Sequence, residues 1–149
     1  MKQYVVAGIM ALLALPALAS DDIVRVQARQ DVAATMDALE QVVTGVGATV
    51  FARIDHAGGA MSVGMDLAPS QLLIFGNPKL GTPAMQDDAL AGLFLPLKVL
   101  VYKDKDGQVW LTYEDPAESL DDLDGISGDA KYIATMRGAL GKLTAKAAE

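Results

Sequence analysis

Residues 95–116 read "LPLKVLVYKDKDGQVWLTYEDP" and contain two candidate strands with a turn between them. The segments "LPLKVLVYK" and "QVWLTY" are rich in β-branched and aromatic residues, which favour strands. The turn "DKDG" is typical of a tight hairpin connection, with Gly107 at the position that needs positive φ. This stretch therefore predicts an antiparallel β-hairpin.

The rest of the chain predicts three further strands, at residues 22–28, 49–56 and 71–75. A helix is expected after Asp31, with an apolar stripe formed by Val32, Met36, Leu39, Val43 and Val46. The turn "GNPK" closes the third strand, and Thr82 followed by Pro83 predicts the start of a short helix that runs to Gly92.

Two more helices are expected after the hairpin. The first is capped by Asp115 and ends at Gly125, and the second begins near Asp129. Its buried stripe is predicted to be Ile133, Met136, Leu140 and Leu143, and residues 144–149 are expected to fray. This order favours an α+β fold, with a mostly antiparallel sheet and helices packed on one side.

The first nineteen residues have the pattern of a signal peptide. Lys2 is followed by an uncharged apolar run, and Ala17, Leu18 and Ala19 supply the small–any–small cleavage pattern. A membrane span needs about 20 apolar residues, more than this run provides. We expect cleavage after Ala19, a periplasmic or secreted product without stable membrane insertion, and a single domain at residues 20–149.

Composition excludes several classes of function. Without Lys2, residues 20–149 contain 11 Lys and Arg against 19 Asp and Glu, a formal charge of −8. Such acidity argues against nucleic acid as a partner, because nucleic-acid affinity comes largely from neutralising phosphates. The chain has no cysteine, which excludes thiol catalysis and thiolate metal sites.

Three blocks of the sequence resemble a known family: "FARIDHA", "LLIFGNPKLGTPAMQ" and the hairpin "LPLKVLVYKDKDGQVWLTYEDP". In this order and spacing they are similar to the domain-of-unknown-function family 302 (DUF302), over about residues 23–143. The family motif corresponds here to Asp55, His56, Gly76, Asn77, Pro78 and Lys79. The resemblance implies a TATA-binding-protein-like β-α-β4-α fold and no settled activity. Many relatives have an Arg-His pair where this chain has "LDDLDGI".

His56 is the only histidine, and two interpretations of it stay open. On a regular strand it would share a face with Val50, Ala52 and Ile54, at the rim of the core. Alternatively it is functional, because histidine titrates near neutrality and binds metals. With Met61 and Met65 it would form a soft donor set suited to copper, or serve as an axial haem ligand.

The sequence gives little indication of an enzyme. "AMSVG" around Ser62 loosely resembles a nucleophile elbow, but the only histidine precedes the serine, against the order of that architecture. The acidic stretch at residues 114–129 fails the register of a calcium loop, because Leu120 and Lys131 would occupy ligand positions 1 and 12.

The second face of the sheet gathers cationic and aromatic residues. If the strands stay regular, strand alternation places six side chains there: Arg25, Phe51, Arg53, Lys98, Tyr102 and Trp110. Arg53 and Lys98 could hold an anion against an aromatic wall, with the Asn77 turn as one lip. We therefore expect an exported binding or accessory domain for a small amphipathic anion. The alternatives are a haem or copper protein using His56, and a homodimer joined through this face.

Overall fold

The computed structural model describes residues 22–149, so the predicted signal peptide lies outside the described part of the chain. The strands are β1 (Ile23–Ala28), β2 (Thr49–Asp55), β3 (Ser70–Gly76), β4 (Leu97–Lys103) and β5 (Val109–Glu114). The helices are α1 (Val32–Gly45), α2 (His56–Ser62), α3 (Pro78–Asp87), α4 (Pro116–Asp121) and α5 (Lys131–Ala147), with a 3-10 helix at Ala89–Leu93.

The five strands form one antiparallel sheet in the order β1-β5-β4-β3-β2. The hairpin predicted from residues 95–116 is β4 and β5, with Lys103 opposite Val109. Gly107 has a φ of 83° in its turn, where a Cβ would be strained. Asp104 fixes the turn by accepting hydrogen bonds from the backbone N–H groups of Asp106 and Gln108. The hairpin prediction is confirmed.

The main core lies between one face of the sheet and helices α1 and α5. The stripe of α1 is buried at Val32, Met36, Leu39 and Val43, whereas Val46 is 65% exposed and does not belong to it. The sheet contributes alternate residues of three neighbouring strands: Leu73, Phe75, Val99, Val101, Leu111 and Tyr113. The α+β fold with helices on one side is thus confirmed. We call this the helix face of the sheet, and the opposite one the open face.

A second, smaller core lies among α3, the 3-10 helix, α4 and the first half of α5. Its buried residues are Ala84, Ala91, Leu120, Leu123, Ile126, Ile133 and Met136. The segment "LDDLDGI" supplies three of these apolar side chains, Leu120, Leu123 and Ile126. In this chain the segment has a packing role.

Helix α3 begins five residues earlier than predicted. Asn77 is its N-cap and accepts a hydrogen bond from the Lys79 N–H (3.0 Å), with Pro78 at the first helical position. An N-cap followed by proline does start this helix, as predicted. The two residues are Asn77 and Pro78, however, and not Thr82 and Pro83. Pro83 lies inside the helix, where proline removes one intrahelical hydrogen bond.

Three other helix ends differ from the prediction. Helix α3 ends at Asp87 and does not run to Gly92, and a separate 3-10 helix follows at Ala89–Leu93. Helix α4 ends at Asp121 and does not continue to Gly125. The expected fraying of residues 144–149 is wrong for most of that segment, because α5 runs to Ala147 and Thr144 is fully buried. The backbone N–H of Arg29 also donates to the carbonyl of Ala148 (3.1 Å). Contact with the end of β1 thus holds the last turn in place.

Candidate functional site

A β-bulge in β2 changes which side chains face the helices. Val50 is opposite Phe75, but the next paired residue is Ala52, opposite Ile74, so Phe51 is the extra residue. Residues directly opposite in an antiparallel pair share a face. The bulge therefore reverses the alternation predicted for the rest of β2, which assumed a regular strand.

Arg53 lies on the helix face as a result, opposite Leu73. Its guanidinium contacts Asp37 (2.6 Å) and Glu40 (3.2 Å) on α1, and its Nε donates to the side chain of Gln71 (2.9 Å). The prediction that Arg53 shares a face with Trp110 is wrong. This arginine ties β2 to α1 and is not available on the open face.

The other predicted residues do lie on the open face. Lys98, Tyr102 and Trp110 alternate with the buried residues of β4 and β5, and Arg25 is opposite Thr112 of the same face. Phe51 lies at the far edge and is 57% exposed. Three strand spacings separate β5 from β2, about 14 Å. Trp110 and Phe51 therefore do not form one wall.

A groove of about 240 Å³ lies on the open face, at the end of the sheet next to α4. Its floor is a row of three paired residues, Leu72, Leu100 and Thr112. Its other lining residues on the open face and at the sheet end are Ile23, Phe94, Leu95, Lys98, Glu114, Pro116 and Ser119. Core residues of the helix-covered side complete the lining: Leu97, Tyr113, Leu120 and Leu140. The groove combines a largely apolar floor with two charged side chains, Lys98 and Glu114.

Lys98 is the cation of this groove. It is half-buried, and its Nζ donates to the backbone carbonyl of Phe94 (3.3 Å). Within residues 22–149, no carboxylate oxygen comes within 4.0 Å of the amine of Lys98 or the guanidinium of Arg25. A half-buried ammonium beside an apolar floor is suited to the carboxylate of an amphipathic molecule.

Trp110 is committed to the hairpin turn. Its indole N–H donates to the Asp104 carboxylate (2.7 Å), and it pairs across the strands with Tyr102. Neither aromatic side chain lines the groove. Their place is one row farther along the sheet.

The Trp110–Asp104 pair predicts an acid transition. The indole hydrogen bond lowers the pKa of Asp104 below its ordinary value of 3.8. A lowered pKa means that this contact stabilises the fold at neutral pH and is lost as pH falls through the lower value. Trp110 is the only tryptophan, so its fluorescence should change with a midpoint below pH 3.8. Asp104→Asn, which keeps an acceptor oxygen, should remove this step, and a midpoint above pH 4 would contradict the assignment.

The sequence predicted His56 as the last residue of a strand. In the structure it is the first residue of α2, and it is exposed. Asp55 is the N-cap and accepts from the Gly58 N–H (2.9 Å). A Cβ at Gly58 would lie 2.8 Å from the Asp55 carboxylate, so this cap needs glycine there. Asp55 therefore has a capping role, and the placement of His56 at the rim of the core is wrong.

The predicted soft metal ligands are exposed side chains. Met61 is 75% exposed and Met65 is 65% exposed. His56 and Met61 are five positions apart on α2, about 140° around its axis, and Met65 follows the helix end. Among residues 22–149, no group of three or more His, Cys, Asp or Glu side chains could hold a metal ion. The geometry gives no support to a copper or haem site.

The remaining motif residues border a second cavity of about 220 Å³. Gly76 ends β3, and Asn77 and Pro78 start α3. This cleft lies between them, the exposed Phe51 and the segment before β4. Lys79 is exposed and is not part of the lining. The expected lip at the Asn77 turn thus exists, but it belongs to this cleft and not to the groove with Lys98.

Sequence reasoning missed most residues that line the two cavities. One sequence pattern could have pointed to these residues: "QLLIF" and "KVLVY" are apolar at nearly every position. Strands that are apolar on both faces are typical of sheets buried on both sides, yet no helix of residues 22–149 covers the open face. The apolar side chains of β3 and β4 that do not face the helices are Leu72, Ile74 and Leu100. These residues indicated that the open face carries an apolar surface.

The fold and site define a class of small α+β proteins whose antiparallel sheet is covered by helices on one face only. Within that class the chain belongs to the family described as domain of unknown function DUF302, whose sequence model matches residues 24–143. The resemblance recognised in the sequence is therefore confirmed, and the family description assigns no activity.

The chain is also similar to curated proteins named as fluoride channels. It is 40% identical over 121 residues to fluoride-specific ion channel FluC 1 of Brucella suis biovar 1, a match that covers 78% of this chain and 46% of that protein. It is equally similar to FluC 2 of Brucella melitensis biotype 1, of which the match covers 43%. The chain thus spans less than half the length of these relatives. Among residues 22–149, no helix is long and apolar enough to cross a membrane.

A solved structure has the same fold. The crystal structure of an uncharacterized conserved DUF302 protein from Bacillus stearothermophilus matches with a TM-score of 0.69. The match covers 87% of this chain and 97% of the other, at 18% sequence identity. This likeness supports the architecture described above.

Proposed function

We propose that this chain is an exported, non-catalytic binding module whose groove on the open face holds a small amphipathic anion. Export is supported by the apolar leader and the Ala17-Leu18-Ala19 pattern. The binding role is carried by one observation: half-buried Lys98 stands beside the floor formed by Leu72 and Leu100, and no carboxylate of residues 22–149 pairs with it.

The distribution of cations in this acidic chain supports the groove as the place where an anion binds. The chain has more acidic than basic residues, and the ion pair of Arg53 with α1 uses one of its cations in the fold. Lys98 and Arg25 remain on the open face, one at the groove and one at its outer strand. Glu114 also lines the groove, so the site favours a single negative charge over a dianion.

Lys98→Met should weaken this binding, because it removes the charge and nearly keeps the length of the side chain. A charge-assisted contact contributes about 1.5–3 kcal/mol, so octanoate affinity should fall by about tenfold or more. Calorimetry with octanoate and with neutral octanamide measures this loss directly. In the wild type, octanoate should bind the more tightly of the two, and in Lys98→Met the difference should disappear.

Arg53→Met is the matched control, because it also removes one cation but on the helix face. Octanoate affinity should stay within about twofold of wild type, since the guanidinium is committed to Asp37 and Glu40. If Arg53→Met weakened octanoate binding as much as Lys98→Met, or Lys98→Met bound normally, the groove would not be the site. Light scattering should accompany the titration, because a dimer joined through the open face would cover the groove.

A second candidate role is an accessory domain of a fluoride channel. It is favoured by the similarity to part of two proteins named as fluoride-specific ion channels.

Deletion of the gene from its host tests this second role. The deletion should reduce the sodium fluoride concentration that permits growth by about twofold or more, and a plasmid copy should restore it. Sodium chloride at equal concentration is the control. Unchanged growth in fluoride would reject the channel role and leave the octanoate result as a separate question.

A further inference from the structure

The cleft behind the Asn77 turn differs in chemistry from the groove with Lys98. It is about 220 Å³ in volume and none of its lining residues is charged. The lining is Phe51, Gly76, Asn77, Pro78, Leu80, Gly81, Thr82, Met85, Leu95, Pro96, Leu97 and Met136. Only Leu95 and Leu97 also border the groove. The two cavities are therefore neighbours with separate floors.

Gly81 keeps this cleft open. It lies inside α3, where its N–H donates to the carbonyl of Asn77 (3.0 Å). Glycine inside a helix is destabilising relative to alanine. A Cβ at Gly81 would meet Leu95 Cδ1 at 3.6 Å and Met85 Cε at 3.8 Å, both ordinary contacts. Packing does not require glycine here, and its main effect is to leave space inside the cleft.

The lining indicates what the space would hold. An apolar cavity of about 150 Å³ is large enough for benzene, so this one can take one ring or two fused rings. Met85 and Met136 present thioethers, which make favourable contacts with aromatic rings. The lining residues, all from the described part of the chain, offer no charged side chain to hold an ion. Asn77 caps its own helix, so its side-chain oxygen is already used.

We propose that this cleft is a second binding site, which takes a neutral aromatic molecule of one or two rings. Phe51, which the bulge places at the rim with 57% exposure, forms its outer wall. The site goes beyond the anion site, because it uses different residues and a ligand without charge.

Methyl NMR of protein labelled with ¹³C-methyl methionine tests this site, with indole as the probe. Addition of indole should shift the Met85 and Met136 methyl signals with a saturable dependence on concentration. Met36, fully buried in the other core, and the exposed Met61 and Met65 serve as internal references. If the Met61 and Met65 signals shifted as much as those of Met85 and Met136, without saturation, the proposal would be overturned, because indole would then contact the surface unspecifically.

Gly81→Leu should abolish the indole-dependent shifts by filling the cleft, and indole shifts that persist in a folded Gly81→Leu protein would refute the site.

Gly81→Ala is the milder variant. It should raise the melting temperature and weaken indole binding by about tenfold, which is the effect of one methyl group in an apolar pocket. A lowered melting temperature in Gly81→Ala would overturn the reason given for this glycine. Changes in the Met85 signal with protein concentration alone would also overturn the proposal, in favour of a second copy. Lys98→Met should bind indole as wild type does, which separates this site from the anion groove.

Discussion

Replacement of Leu73 by alanine is expected to lower the free energy of unfolding by about 3 kcal/mol. The same replacement of its neighbour Leu72 should cost only about 1 kcal/mol. Leu73 is fully buried on the helix face, where the cavity left by the lost methyl groups cannot fill with water. Leu72 is half-buried on the open face, so solvent can enter the space that its truncation leaves.

Urea denaturation of the two variants measures this difference, because they remove the same atoms from adjacent positions of one strand. Equal losses would contradict the assignment of an uncovered open face. Leu72→Ala should also change octanoate affinity, since Leu72 forms part of the groove floor, whereas Leu73→Ala should leave it unchanged in the folded fraction.

Asp115→Ala should lower the free energy of unfolding by about 2–3 kcal/mol, the second largest effect. Its carboxylate has two roles at once: it accepts from the Ala117 N–H as the N-cap of α4 (2.9 Å), and it pairs with Arg137 of α5 (2.8 Å). A cap contributes about 1 kcal/mol, and a charged hydrogen bond about 1.5–3 kcal/mol. Asp115 is 8% exposed, so solvent screens these contacts only in part.

Asp31→Ala is the matched control for the cap alone. Asp31 caps α1 by accepting from the Ala34 N–H (2.9 Å), is exposed and forms no ion pair within residues 22–149. Its loss should therefore be about 1 kcal/mol in the same denaturation assay. If the two variants lost equal stability, the Arg137 contact would contribute nothing. Arg137→Ala should then be silent, whereas the structure leads us to expect an intermediate loss.

Local sequence patterns were sufficient for most of the fold. The "DKDG" turn and the α1 stripe were found because hairpin turns and amphipathic helices depend on residues close in sequence. The bulge at Phe51 was not found, because it is set by the pairing of β2 with β3 and has no distinct local pattern here. One unrecognised residue was enough to move Arg53 to the wrong face.

The candidate site was predicted only in part for the same reason. Lys98 and Arg25 were placed correctly because β4 and β1 are regular. The end wall of the groove comes from Phe94 and Pro116, which precede β4 and follow β5. Loop and short-helix residues meet only through tertiary packing, so strand alternation could not bring them together.

The bulge also affects how the sheet meets other chains. β2 is an edge strand, and the unpaired N–H and C=O groups of an edge strand can recruit a strand from another molecule. An incoming strand needs an uninterrupted backbone spacing to form its ladder, and the irregularity between Val50 and Ala52 breaks that spacing in the first half of β2. The extra residue that places Arg53 on the helix face therefore also disfavours the addition of a strand from another molecule at the β2 edge.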